Sequence, residues 1–306
     1  MALVVLAIVA STVAGIGAER RWGDGARAVT ARLLDVLLWV VMPLITFFVV
    51  ARLQLTAGVG AGLAFGYLAA GAAGVLAWVA GERWLALERP ATGAMVCAVM
   101  VSNTGYLGLP LAVTLLGADQ LGPMIAYDVL VNGPLVYLAG FAVGAALGAR
   151  AGATPRERLR SYVLRNPVAF ALAAALIAPD ALAPDVAVST AEILAVGLLP
   201  VGFFVLGVNL MHEREDGALD FPPRMTAPAA VAIGLKLLVV PTVVIATSAL
   251  IVGVPDAYLL AAAMPTGINT LLIAHVYGLD LRLAATIVAY STTIVVLAAI
   301  VAAVIG

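Results

Sequence analysis

Charged side chains are scarce in this chain of 306 residues: only 11% are Asp, Glu, Lys or Arg, whereas 64% are hydrophobic. Soluble domains carry about 25% charged residues, and a soluble fold of this length cannot bury so much apolar surface. The mean hydropathy of +1.12 therefore indicates a chain that faces lipid. Barrel strands would alternate apolar and polar residues. The sequence does not alternate in this way, and we predict a polytopic helical membrane protein.

Cysteine and histidine are almost absent too. Cys97 is the single cysteine, which excludes an intrachain disulfide and a CxxC metal or redox motif. The two histidines, His212 and His275, are far apart and have no acidic partner at ligand spacing, so we expect neither a metal nor a cofactor. We interpret the charged stretch that begins at His212 as a solvated loop. The net charge of −1 provides no basic surface for nucleic acid, and the short polar loops leave no room for a separate catalytic domain.

Long apolar runs, separated by charges or Gly/Pro clusters, divide the chain into ten candidate membrane spans. The first run lacks the basic n-region of a signal peptide, and we interpret it as a span. The predicted spans cover residues 2–18, 33–51, 57–81, 91–117, 123–148, 166–179, 184–211, 225–252, 256–277 and 282–305.

The basic residues predict the orientation in a cell membrane. If the N-terminus is outside, fourteen of the sixteen Lys and Arg residues lie in or beside cytoplasmic loops, as the positive-inside rule requires. Arg52 alone then falls outside, and Lys236 lies within a span. With ten spans the C-terminus is outside as well, and the Arg-rich loop near the centre of the chain contacts lipid headgroups.

That loop, 149–165, separates residues 1–148 from residues 166–306, with five spans on each side. An odd number of spans gives the two halves opposite orientations. We therefore predict two inverted five-helix repeats joined by a basic cytoplasmic linker. Asp35 precedes Pro43 by eight residues in span 2, as Glu192 precedes Pro200 in span 7. We interpret both acids as helix-end residues that stabilise the helix dipole.

Spans 4 and 9 contain helix-breaking residues at corresponding positions, with Pro110 in one and Pro265 in the other. Broken helices at matched positions of two inverted halves are typical of a transporter site, because the freed backbone groups need protein or a water-filled cavity around them. The freed N-terminal ends carry about half a positive charge each, which suits an anion. We expect the prolines to shape the breaks, and the Asn and Thr residues to cap the half-helices and to contact the substrate. The predicted substrate-binding residues are Asn103, Thr104, Gly105, Asn132, Thr266, Gly267 and Asn269.

Lys236, the only lysine, lies about ten residues into span 8 and hence about 15 Å deep. A charge there costs at least about 2.5–3.5 kcal/mol, which favours a role as substrate counter-charge, as proton-coupling group or as fixed cation over a purely structural one. Asp128 and Asn132 share a face of span 5 because they are one helical turn apart. Asn132 can donate to a carboxylate, and Asp128 can carry a proton or pair with Lys236.

The run from Ser102 to Pro110, SNTGYLGLP, resembles the signature of the auxin efflux carrier family of membrane transport proteins. Three other pieces resemble the family as well: Asn166-Pro167, Lys236 followed by Pro241, and Met264-Pro265 with Asn269. The resemblance implies a ten-helix inverted-repeat fold similar to that of bile-acid sodium symporters, in which spans 4 and 9 cross at their breaks. It implies a scaffold and a transport domain as well, each drawn from both repeats. It also implies a compact bacterial form and an organic-anion substrate, such as a small carboxylate.

Three functional hypotheses follow. The first is a secondary transporter, most simply an exporter, of small organic anions by alternating access; no nucleotide-binding motif is present to supply ATP hydrolysis. The second is a sodium- or proton-coupled symporter of organic anions. The positive charge of Lys236 argues against sodium as the coupled ion, because it would repel another cation. The third, an intramembrane enzyme, lacks GxSxG and HExxH motifs and is disfavoured. Glycines at four-residue spacing in span 3 permit close helix contact, including in a homodimer.

Overall fold

The computed structural model describes residues 2–53, 56–149, 167–215 and 224–305, and within these ranges it contains helices and no strand. Within these ranges five helices are long and apolar enough to cross a membrane: Ala57–Trp84, Ala118–Leu147, Asp185–Val205, Ala227–Leu250 and Leu281–Ala302. Two shorter apolar helices cover Trp39–Val50 and Thr104–Leu116. The chain is thus an all-α, multi-pass membrane protein, as its composition predicts. Residues 150–166, which include most of the predicted basic linker and Asn166, lie outside the described residues.

Several of the membrane helices are composites of α-helical and π-helical segments. The α-helices are α1 (Ala2–Trp22), α2 (Asp24–Val36), α3 (Met42–Val50), α4 (Ala57–Val79), α5 (Arg89–Met100), α6 (Leu109–Leu116), α7 (Leu121–Tyr127), α8 (Phe141–Leu147), α9 (Pro167–Ile177), α10 (Asp185–Glu215), α11 (Ala227–Gly234), α12 (Val240–Leu250), α13 (Asp256–Ala263), α14 (Asn269–Tyr277) and α15 (Leu281–Ile305). The π-helical segments are Leu37–Val41, Ala80–Trp84, Thr104–Gly108, Asp128–Asn132, Leu135–Gly140 and Leu235–Val239.

Proline explains four of these π segments. The segments Leu37–Val41, Thr104–Gly108, Asp128–Asn132 and Leu235–Val239 each end two residues before a proline: Pro43, Pro110, Pro134 and Pro241. A proline ring in a helix clashes with the carbonyl four residues earlier, and in every case that carbonyl lies inside the wider π turn. The helix therefore continues through the proline. Our expectation that Pro110 shapes the break is wrong in this respect, because Pro110 lies in the continuing helix α6, beyond the break.

One group of helices packs around α10. Helix α1 lies against α10, α9 lies against α3, and α3 also contacts α10. Gly15 and Gly207 allow the α1–α10 approach: an added Cβ at Gly15 would collide with the backbone carbonyl of Phe204, and one at Gly207 with that of Thr12. We call α1, α2, α3, α9 and α10 the first helix group.

The remaining helices form a second group around an alanine-rich core. Helix α4 packs against α5 and α12, and α15 packs against α5 and α11. The small side chains at the centre of this group, among them Ala73, Ala94, Ala98 and Ala262, are fully buried. Such residues let helix backbones approach closely in a membrane, where no hydrophobic effect drives association.

Two acids and one histidine differ from their predicted positions. Helix α2 begins at Asp24 and helix α10 at Asp185, so Asp35 and Glu192 do not open their helices and our interpretation of both as helix-end acids is wrong. His212, expected in a solvated loop, belongs to α10 and lies 3.8 Å from the buried carboxylate of Glu19. The Nε of Arg27 lies 2.8 Å from the same carboxylate oxygen.

Candidate functional site

Two interruptions in the helices meet at the centre of the second helix group. The first interruption, residues 101–103, separates α5 from the helix that begins at Thr104, and the second, residues 264–268, separates α13 from α14. They run antiparallel: the Asn103 N–H donates to the Pro265 carbonyl at 2.8 Å, and the Gly267 N–H donates to the Val101 carbonyl at 3.0 Å. These bonds satisfy backbone groups that lipid cannot satisfy. Gly267 is needed here because an added Cβ would lie 2.7 Å from the Ser102 carbonyl oxygen.

Each interruption is also held by a side chain from a neighbouring helix. The Ser102 N–H donates to Oδ1 of Asn132 at 2.9 Å, and the Thr266 N–H donates to Oγ of Ser291 at 3.2 Å. The hydroxyl of Thr266 in turn donates to the Ala98 carbonyl at 2.8 Å. Sequence reasoning missed the roles of Ser102 and Ser291. Their signal in the sequence is faint, because each is a small hydroxyl residue inside an apolar run.

The two ionisable side chains at the core of the site, the buried Lys236 and the half-buried Asp128, both belong to the first interruption. Lys236 is fully buried, and its Nζ donates to the hydroxyl of Ser102. On the other side, Oδ1 of Asp128 accepts from the Thr104 hydroxyl and from Nδ2 of Asn132 at 3.1 Å. In the described part of the chain Lys236 and Asp128 form no direct ion pair. Ser102 and Asn132 link them instead, so the direct pairing with Lys236, one of the two roles predicted for Asp128, is not seen.

A cavity of about 260 Å³, which we call the central cavity, opens beside the two interruptions. It lies between the helix groups: Asp35, Met42 and Val168 line it from the first group, and both interruptions line it from the second. Five predicted substrate-binding residues line it: Asn103, Gly105, Asn132, Gly267 and Asn269. Asp128 also lines it, whereas Lys236, Thr104 and Thr266 are fully buried behind its wall, and neither Pro110 nor Pro265 reaches it.

Two amide side chains in the cavity lack the helix-capping role that we expected. Asn103 precedes the helix beginning at Thr104 and Asn269 is the first residue of α14, but neither helix has a side-chain cap hydrogen bond. Asn103 is only 5% exposed, and among the described residues its carboxamide has no hydrogen-bond partner. A buried amide without a partner is costly. The prediction of side-chain caps is thus wrong, and both amides are available to a ligand.

The backbone adds further donors at the same place. The first N–H groups of a helix have no intrahelical acceptor, and the helices that begin at Thr104 and Asn269 both start at the wall of the central cavity. At the second helix the Thr270 and Leu271 N–H groups already donate to the Gly267 and Ile268 carbonyls, so the N–H groups before them are the ones left for a ligand. Together with the dipoles of the two helices, these groups favour a negatively charged ligand.

Comparison with protein families supports the same class of protein. Residues 163–303 match the model of the family described as membrane transport protein, which is the domain of the auxin efflux carrier family. The resemblance that the sequence shows to this family is confirmed. It is a family of transporters and not of enzymes, so the enzyme hypothesis is excluded. No curated protein matches the chain.

Proposed function

We propose that this chain, which carries the auxin efflux carrier family domain at residues 163–303, is a secondary transporter that exports a small organic anion by alternating access. The observation that carries this proposal is the central cavity. Two helix N-termini and two unpartnered amides, Asn103 and Asn269, converge on a space of about 260 Å³. A carboxylate there would accept hydrogen bonds from backbone and amide N–H groups, each worth about 1.5–3 kcal/mol to a charged acceptor.

Repeated local geometry supports the ten-span inverted repeat. Thr56 caps α4 by accepting from Val59, and Thr226 caps α11 by accepting from Ala229. A further pair connects opposite ends of the broken helices: the Ala257 N–H donates to the Gln120 side chain at 3.1 Å, and the Asp280 N–H donates to the Pro90 carbonyl at 3.2 Å. In both of these hydrogen bonds, a residue in the loop that follows one broken helix is bonded to a residue at the start of the other broken helix.

Contacts within the first helix group also occur in the pairs that an inverted repeat requires. If α1 and α9 begin the two repeats, the α1–α10 contact is equivalent to the α9–α3 contact, and the α3–α10 contact is equivalent to itself. The second group then forms the transport domain and the first group the scaffold. This division also places the central cavity at the interface between two bodies, where alternating access requires a substrate site.

One side of the central cavity is closed by contacts between the two groups. Tyr106 packs against Gly202, where an added Cβ would lie 3.2 Å from the tyrosine ring. Leu107, Leu111 and Met264 form an apolar cluster with Phe203 of α10. With the N-terminus outside, this closed side is extracellular and Asp35 lies towards the cytoplasm. We therefore interpret the structure as the inward-facing state.

Lys236 and the membrane potential indicate which ion, if any, is coupled to transport of the anion. Lys236 places a fixed cation behind Ser102, linked through Asn132 to Asp128, which disfavours the alternative of sodium-coupled symport and leaves proton coupling through Asp128 as the second candidate. Export of an anion requires no coupled ion, because an inside-negative potential favours it by about 2.3 kcal/mol per charge per 100 mV.

The test is carboxylate transport in proteoliposomes under an imposed potassium diffusion potential, for the wild type and for Asn103→Leu and Asn269→Leu. We expect each substitution to weaken binding at least about tenfold, which corresponds to about 1.4 kcal/mol and one charge-assisted hydrogen bond. The matched control is Thr247→Val, which removes a hydroxyl that bonds only within its own helix. Wild-type affinity in both asparagine variants would contradict the proposed site, and uptake that requires sodium would favour the symporter.

A further inference from the structure

The two interruptions are equivalent in backbone geometry but not in charge. Asn132 holds the first and Ser291 holds the second. Four residues before Asn132 stands Asp128, whereas four residues before Ser291 stands the fully buried Ile287. Ten residues after the capping Thr226 stands Lys236, whereas ten residues after the capping Thr56 stands Gly66. Both charges therefore belong to the first interruption, and their counterparts at the second are apolar.

This asymmetry leaves one helix N-terminus open to a ligand anion. The N-terminus at Thr104 already has a carboxylate beside it, since Asp128 accepts from the Thr104 hydroxyl and lies 3.4 Å from the Cβ position of Gly105. No acidic residue in the described ranges takes that place at Asn269. Asn103, which is 95% buried and has no hydrogen-bond partner for its carboxamide among the described residues, lines the same cavity as a second donor. A carboxylate of the substrate is accordingly expected at Asn269 and Asn103.

The charged side chains that line the rest of the central cavity are acidic. Its charged lining residues are Asp35 and Asp128, and the described chain contributes no cationic side chain to the lining. Oδ1 of Asp128 accepts two hydrogen bonds, while Oδ2 accepts none among the described residues. Lys236 is fully buried behind Ser102 and does not reach the ligand space. A second carboxylate on the substrate would meet these acids and be repelled, whereas an ammonium or another hydrogen-bond donor would be attracted.

We propose that the substrate is amphoteric: a small molecule with one carboxylate, bound at Asn269 and Asn103, and one ammonium or hydrogen-bond-donating group, bound at Asp128 and Asp35. This inference rests on the proposed function and narrows it. It excludes small dicarboxylates as preferred substrates, although the family resemblance alone leaves them open.

Two matched trios of ligands test the inference. In each trio the carbon chain is constant and only the far end changes: propionate, β-alanine and malonate, then butyrate, 4-aminobutyrate and succinate. Binding to the purified full-length protein is measured by calorimetry at constant pH. We expect at least one amino acid to bind at least tenfold more tightly than the dicarboxylate and the simple monocarboxylate of its trio.

Substitutions then assign the preference to the acids. Asp128→Asn and Asp35→Asn are each expected to reduce the preference for the amino acid over the dicarboxylate at least fivefold. Asp35 is exposed, so its variant keeps the test valid if Asp128→Asn fails to fold. Asp256→Asn is the matched control, because Asp256 is an exposed acid outside the cavity lining.

The outcomes separate the two proposals. Dicarboxylates that bind as tightly as the amino acids, or an unchanged ranking in both acid variants, would overturn the amphoteric substrate but leave the organic-anion carrier in place. Absence of binding by all six ligands would count against both.

Discussion

Replacement of Asn132 by leucine tests how the first interruption is held. Leucine has a similar volume but no polar atoms, so two hydrogen bonds are lost at a residue that is 6% exposed. The Ser102 N–H loses its acceptor at 2.9 Å, and a buried donor without a partner costs about 1–3 kcal/mol. Asp128 loses a donor at 3.1 Å, which for a charged group is worth about 1.5–3 kcal/mol.

Measured hydrogen bonds between membrane helices average only about 0.6 kcal/mol, because the unfolded chain in the membrane finds other partners. For this reason we place the combined loss of the two hydrogen bonds in the lower part of the range given above, at about 2–4 kcal/mol in the free energy of unfolding. The measurement is unfolding of the purified protein in mixed micelles with increasing SDS, for the wild type and the variant.

Ser291→Ala is the matched control at the second interruption. It removes one neutral acceptor, 3.2 Å from the Thr266 N–H, and the expected cost is about 1 kcal/mol. The reasoning would be refuted if Asn132→Leu were as stable as the wild type, or if Ser291→Ala were the more destabilising of the two.

Two other predictions concern the first helix group and one concerns its contact with the second group. Gly15→Ala should destabilise the protein strongly, because the new Cβ collides with the Phe204 carbonyl, whereas Gly17→Ala, which meets nothing within 4 Å, should be neutral in thermal unfolding. Arg27→Ala should destabilise more than the double variant Glu19→Gln/Arg27→Ala, because it alone leaves the fully buried Glu19 carboxylate without its partner at 2.8 Å; equal stability would contradict this. Gly202→Leu should shift Tyr106, which lies 3.2 Å from the Cβ position, and slow transport with little change in ligand affinity; an unchanged rate would show that this contact is not a gate.

Composition predicts much of this structure, because the share of apolar residues indicates that the chain is surrounded by lipid. A chain that is 64% hydrophobic has to be helical in lipid, and paired Gly, Pro and Asn residues in two spans indicate breaks. Asp128, Asn132 and Lys236 stand out for the same reason, since a polar group at membrane depth needs a partner.

The partners themselves could not be predicted. A lone serine in an apolar run, such as Ser102 or Ser291, bonds within its own helix as readily as it bonds to a neighbour, so its sequence context does not distinguish the two. Asp35 was misjudged for a related reason: helix α2 begins at Asp24, well before the apolar run on which the prediction was based. Side-chain caps at Asn103 and Asn269 follow from general preference, which the pairing of the two interruptions overrides.

The combination of symmetric backbone and asymmetric charge gives the site a direction. Two equivalent helix N-termini would accept an anion equally well and would not orient it. Asp128 stands beside one of them and is linked to Lys236 through Ser102 and Asn132. A buried charge costs at least about 2.5–3.5 kcal/mol at membrane depth, and a purely structural role would be served as well by apolar residues such as Ile287. Under the proposal of an amphoteric substrate, the placement of both ionisable residues at one interruption is accounted for by a ligand that binds in one orientation.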